Sequence, residues 1–205
     1  MAARGLAYGL GAAGAGCALT FIGTKLLTSP PKPKSCPTEK CRHETFEKLA
    51  PKWDETVRWD EFFTGLGRKR RGIIGRASGD VLEVAVGSGR NFSYYNAAKV
   101  RSVTAVDFSR AMLEVADGKR SELKPIPLRL KVSSSQQLDF PDCSFDTVVD
   151  TFGICSFESP VEALREMRRV LKEDGQMLLL EHGASTWEFV QSFLNGGAAT
   201  HVGKD

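Results

Sequence analysis

Glu83, Ala85, Gly87 and Gly89 fall on alternate positions of the run VLEVAVGSGRN, an acid followed by a small residue and two glycines. An apolar segment that opens into such a turn is how a parallel sheet brings backbone close to a nucleotide-like cofactor at the carboxyl ends of its strands. Two familiar cofactor turns do not fit. A dinucleotide turn wants a third glycine where this chain has Phe92, too large for the close helix–strand packing that glycine permits. A phosphate cradle wants Gly-Lys-Ser/Thr, which the turn lacks. Asp107 ends the next apolar run, SVTAVD, where a carboxylate is placed to accept hydrogen bonds from two ribose hydroxyls, and the Phe108 ring beside it suits adenine packing.

The elements that must position these residues follow from the apolar pattern. Short β-branched runs, DVLEVAV, SVTAVD, LRLKV, DTVVDTF and QMLLLEH, alternate with helical or turn-like stretches, which predicts a parallel sheet covered on both faces. Three helices are expected before the first strand, over Arg42–Ala50, Trp53–Phe63 and Leu66–Arg76. Another begins at Ser159-Pro160, with Glu162 completing a capping box; Leu164, Met167 and Leu171 share its buried face and Gly175 closes it.

The acid, the small residue and the glycines have the spacing used by class I S-adenosylmethionine-dependent methyltransferases. That cofactor carries an ammonium and a sulfonium, so an acid at a strand end and the backbone of a glycine turn suit its methionine end. The segments VDFSRAMLEVA and LDFPDCSFDTVVDTFGICSFESPVEALREMRRVLKEDGQMLLLEHG resemble the ubiquinone and menaquinone C-methyltransferases. They are similar also to mitochondrial inner-membrane relatives of the yeast oxidase-assembly-suppressor type and to membrane-anchored thiol methyltransferase-like proteins. The resemblance runs from about Phe46 to Trp187, and in FEKLAPKWDETV the pair Trp53-Asp54 matches a lid that closes over the cofactor. It implies a Rossmann-like α/β fold and S-adenosylmethionine contacts at Trp53, Glu83, Gly87, Gly89, Asp107 and the loop around Ser134.

Three departures stand out. Ala85 replaces the usual first glycine of the turn, a change that an ordinary negative-φ backbone tolerates. Ser134 stands where an acid usually meets the adenine amino group; its hydroxyl accepts the same bond without the charge-assisted gain. After the fifth strand and a short helix over Trp187–Leu194 the sequence reads NGGAATHVGKD, which leaves no hairpin to complete the sheet, so QMLLLE is expected to be an edge that a partner covers.

Methyl transfer from a sulfonium needs positioning more than acid or base. If a base is used, His182 is the best placed by topology, with Glu181 and Asp150 near the same rim, and Cys155 is expected to be a small buried thiol. DTFG lacks the paired prolines of enzymes that methylate exocyclic amines of bases, and no Pro-Cys nucleophile is present, which argues against nucleic acid. A net charge of +3 agrees with that, and the basic run GRKRRGIIGR reads as a solvated helix face with Ile73 and Ile74 turned inward. A small apolar or membrane-proximal acceptor is the expectation. An assembly factor that holds a respiratory or ribosomal partner on the same fold is the alternative.

The start of the chain is of another kind. Residues 5–24, GLAYGLGAAGAGCALTFIGT, carry no charge over a length that suits one membrane-spanning helix, and the acid-free basic flanks also resemble a mitochondrial targeting segment. Residues 1–27 are therefore read as anchor or targeting segment, 28–41 as a proline-rich linker and 42–205 as one domain, on a mitochondrial inner membrane with the domain facing the matrix. Cys36, Cys41 and His43 have no second ligand pair, so no metal is expected.

Overall fold

A computed structural model describes residues 38–181. Helix α1 (Glu39–Leu49) is capped by Thr38, whose hydroxyl accepts the Cys41 N–H, so it starts inside the stretch read as linker. A 3-10 turn over Ala50–Lys52, with Pro51 near its start, leads into α2 (Trp53–Thr64). Gly65, at φ +67°, breaks the path before α3 (Leu66–Ile74). The span at residues 5–24, the helix expected over Trp187–Leu194 and His182 lie outside the described residues. Among the described residues no helix is long and apolar enough to cross a membrane.

The remaining elements alternate: β1 (Gly79–Val84), β2 (Val100–Asp107), α4 (Arg110–Gly118), β3 (Leu128–Val132), β4 (Phe145–Thr151), α5 (Pro160–Val170) and β5 (Leu171–Leu180). All strand pairs are parallel, in the order β3-β2-β1-β4-β5. Chain direction across the sheet therefore switches between β1 and β4, the crevice in which sheets of this class bind ligands. Side-chain alternation splits the core between two faces. Val81 and Val103 pack with Ile74, Phe92, Leu113 and Ala116 on one. Leu82, Val84 and Val148 pack with Ala163, Met167 and Val170 on the other.

Two expectations about α5 need correction. Ser159 is its N-cap residue and Pro160 opens it, but the Ser159 hydroxyl makes no capping bond; instead the Ser159 N–H donates to Gln136 Oε1. The helix ends at Val170, and Gly175 lies within β5 at a register shift, where pairing passes from Phe145↔Leu171 to Thr147↔Gln176. A Cβ at Gly175 would come within 2.6 Å of Leu171 Cδ1, so glycine lets the strand fold closely over its own start.

Candidate functional site

The glycine turn is supported from beneath by Glu83, which is 1% exposed. Alternation along β1 sets Glu83 on the face where Phe92 and Tyr95 pack, and the Tyr95 hydroxyl and Asn91 Nδ2 each donate to one of its oxygens at 2.8 Å. Burial pushes its acid up to about 7, against the pull of those two bonds. The acid expected at the methionine end of a cofactor is thus committed to interior partners that fix the turn.

Asp107 ties the end of β2 to the same turn. Gly87 N–H donates to its Oδ2 at 2.8 Å and Ser109 N–H to its Oδ1 at 2.9 Å. Burial raises this acid, and the backbone donors oppose that rise. Gly87 and Gly89 both have positive φ, and a Cβ on Gly89 would lie 2.6 Å from the Phe92 ring. The large residue that excludes a dinucleotide turn therefore packs into the space that Gly89 leaves. Ala85 is a correction: its φ is +51°, in the left-handed region, so the alanine costs about 1 kcal/mol rather than sitting in an ordinary conformation.

The lid expectation centred on Trp53 and Asp54. The Trp53 ring meets Phe46 edge-on at 5.6 Å, Phe46 meets Phe108 at 5.8 Å, and His43 meets Phe108 at 5.3 Å, so a chain of rings joins α1 and α2 to the end of β2. Asp54 reaches the turn itself, accepting from the Ser88 hydroxyl at 2.7 Å and Arg90 Nη1 at 2.9 Å, with Lys119 as a third partner. Burial works against its charge, but Lys119, Ser88 and Arg90 hold its carboxyl below the usual range. Ser134 follows β3 in a loop tied back to Asp107, whose carbonyl accepts the Ser133 N–H at 3.0 Å. Its hydroxyl accepts the Gln136 N–H at 3.2 Å, leaving its proton to donate elsewhere.

The sequence pattern missed Arg70. It is 6% exposed on α3 and donates to Glu61 at 2.8 Å, to Asn91 Oδ1 at 2.8 Å and to Thr151 Oγ1 at 2.8 Å. Glu61 in turn pairs with Arg90, so α2, α3, the glycine turn and the end of β4 share one network. The signal was the spacing of Arg70 to Ile73 and Ile74, which puts the arginine on the inward face of a helix otherwise read as solvated. Arg68, Lys69, Arg71 and Arg76 are exposed, as a solvated face requires. Cys155 was expected buried; it is exposed at the rim after β4, its thiol donating to Phe152 O at 3.6 Å. Asp150 and Glu181 meet at the ends of β4 and β5.

Residues 82–179 match a family model described as a methyltransferase domain. This segment is a methyltransferase domain. Its relatives include the mitochondrial methyltransferase OMS1 of Saccharomyces cerevisiae, 31% identical over 75% of this chain and 36% of that protein. A demethylmenaquinone methyltransferase of Renibacterium salmoninarum is 34% identical over 69% of this chain and 59% of its own length. The crystal structure of YcgJ from Bacillus subtilis superposes with a TM-score of 0.51 at 30% identity, over 64% of this chain and 56% of that one. The chain thus spans from about a third to three fifths of the length of these proteins. The fold is the Rossmann-like class I methyltransferase fold, and the cofactor it implies is S-adenosylmethionine. Two features of the site fit that cofactor. Asp107 and the turn form one hydrogen-bonded unit beside the half-buried Phe108 ring, as a nucleoside requires. Among the described residues, neither side-chain oxygen of buried Asp150 has a donor at the adjacent rim, as a cationic ligand group requires.

Proposed function

We propose that this chain transfers a methyl group from S-adenosylmethionine to a small, apolar or membrane-proximal acceptor. The observation that carries the reading is Asp107, whose two oxygens each hold one backbone N–H and keep lone pairs for the ribose hydroxyls. Phe108 packs on adenine, the Ser134 loop borders it, and Gly87 and Gly89 bring backbone against the methionine portion, with Glu83 fixing the turn from inside. Trp53 and Asp54 close the lid and exclude water. The cofactor supplies a methyl on a sulfonium with its leaving group built in, so residues that orient the acceptor supply much of the rate. His182 is the candidate base.

Relatives named for menaquinone methylation and for a mitochondrial location support an acceptor of the quinone or lipid type, and a mitochondrial membrane as its setting. In this reading residues 1–27 anchor or target the chain and residues 28–41 link it to the domain. Calorimetric titration of S-adenosylmethionine into the full chain tests the proposal. Micromolar binding that Asp107→Ala weakens by at least tenfold, followed by turnover on quinone, lipid or thiol acceptors, is the expected result. A folded protein that binds no S-adenosylmethionine would turn the reading toward the assembly-factor alternative.

A further inference from the structure

Asp150, next to last in β4, is fully buried, and among the described residues neither of its side-chain oxygens meets a hydrogen-bond donor. Strand pairing sets Asp150 beside Leu179, so alternation puts Glu181, two residues further along, on the same face of the sheet. The group against Asp150 is indeed the Glu181 carboxyl. Glu181 is itself fixed, its Oε1 accepting the Ile154 N–H at 3.1 Å. The Asp150 carboxyl, enclosed against a second acid, resists ionisation, and the proton it keeps gives it a hydrogen bond to Glu181. Burial first, and Glu181 second, push the acid of Asp150 up to about 9, which keeps it protonated at neutral pH.

Among the described residues the charged surroundings are few. Cys155, exposed at the rim after β4, lies near the pair, and partial desolvation of its sulfur, then the charges of Glu181 and Asp150, push its thiol up. Helix α5 covers this face with Ala163, Met167 and Val170, which carry no charge. Arg70 and Glu83 lie on the opposite face, committed to Thr151, Asn91 and Tyr95.

The position is that of a ligand site. Asp150 pairs with Val84, the last residue of β1, so it borders the switch point one residue from the start of the glycine turn. The backbone around it is shaped to make room: Ala85 has φ +51° and Phe152 φ +62°. A Cβ on Gly153 would fall 2.2 Å from Asp150 Oδ1 and 2.7 Å from Ala85 Cβ.

We propose that Asp150, with Glu181 beside it, forms a proton-exchange site for a cationic ligand group, an ammonium or a sulfonium, which on binding displaces the proton that Asp150 holds against Glu181. The O–H bond of Asp150 breaks, the proton leaves to solvent, the site gains one negative charge, and no bond of the ligand breaks. The inference rests on the S-adenosylmethionine reading, since that molecule carries both cations.

Titration calorimetry of the full chain in buffers of different ionisation enthalpy reads the protons released. S-adenosylmethionine should release about one proton per molecule bound near pH 7, below the α-amino range of about 7.7–8.0. Its affinity should rise almost tenfold per unit between about pH 6 and pH 7. In Asp150→Asn, binding should release no proton and lose that dependence. Glu181→Gln should release measurably less than the wild-type chain, since burial alone still raises Asp150, and serves if the first variant does not fold by circular dichroism. S-adenosylhomocysteine keeps the ammonium and lacks the sulfonium charge: equal release assigns the exchange to the ammonium, and lost release to the sulfonium. Binding of S-adenosylmethionine without proton release, or equal release from both variants, overturns the proposal and leaves the methyltransferase reading intact. Absence of any binding removes both.

Discussion

Glu83 and Ala85 sit two positions apart and were read from the same motif, yet only the type of each residue was legible, and its environment was not. A motif acid can face ligand or interior, and what decides here is Tyr95 and Asn91, whose partnership no spacing announces. The interior setting has a measurable linkage. An acid whose folded pKa is raised to about 7 keeps its proton while the unfolded chain loses its own near 4.5. Its stabilising contribution is fully present below about pH 4.5 and declines by on the order of 3 kcal/mol as pH climbs to about 7. Glu83→Gln should therefore flatten the pH dependence of stability between about pH 5 and pH 7, read by urea unfolding across that window. An unchanged slope would assign the dependence to other groups. At Ala85 the positive φ makes the opposite kind of prediction. Ala85→Gly should stabilise the fold slightly, by up to about 0.5 kcal/mol, since relief of the left-handed strain only just exceeds the entropy that glycine adds to the unfolded chain. Urea midpoints of the two proteins check it.

Elements were more legible than residues, because a run of β-branched residues or an inward helical stripe averages over many positions. The strand at Val100–Asp107 and the helix starting at Trp53 fall where the pattern put them. Gly175 misled because a glycine after an amphipathic stretch reads as a helix stop, whereas here the chain turns into β5 at Leu171 and uses the glycine for a close strand approach. Cys41 was assigned to linker because the prolines before it dominate the composition, although the Thr38 cap starts a helix there. The lid gives the prediction at this scale. Asp54 is one of two acids by which α2 grips the turn, through Ser88 and Arg90 and with Lys119 beyond α4 as a further partner, while Glu61 holds Arg70 and Arg90. Asp54→Ala should leave the sheet folded and loosen α2, weakening S-adenosylmethionine about tenfold, as expected for loss of a charge-assisted bond worth 1.5–3 kcal/mol partly offset by solvent. Faster amide exchange confined to residues 53–64 would accompany the loss. Unchanged exchange there would mean that Glu61 and the ring chain through Phe46 hold the lid without Asp54.

At the scale of the molecule, alternation of strands and helices was enough to predict a parallel sheet, but not what fastens the amino-terminal helices to it. The helices α2 and α3 precede β1 in sequence and belong to no βαβ unit, so no crossover rule positions them. Arg70 does. Its guanidinium spans Glu61 on α2, Asn91 after the glycine turn and Thr151 at the end of β4, and its face lies 5.0 Å from the Phe152 ring. A planar fork with several donors makes these contacts together, and a lysine ammonium, a point charge on a flexible stem, reproduces only part of them. Arg70→Met should cost about 3 kcal/mol, because Asn91 and Thr151 lose a buried donor and Glu61 keeps only Arg90. Arg70→Lys should fall between the two. The loss should be unevenly spread: amides of α2 and α3 exchange faster, while β1, β2 and β4, held by the two apolar faces of the sheet, keep their protection. Uniform loss of protection would show instead that the helices and the sheet unfold as one unit, with the network contributing only to that common stability.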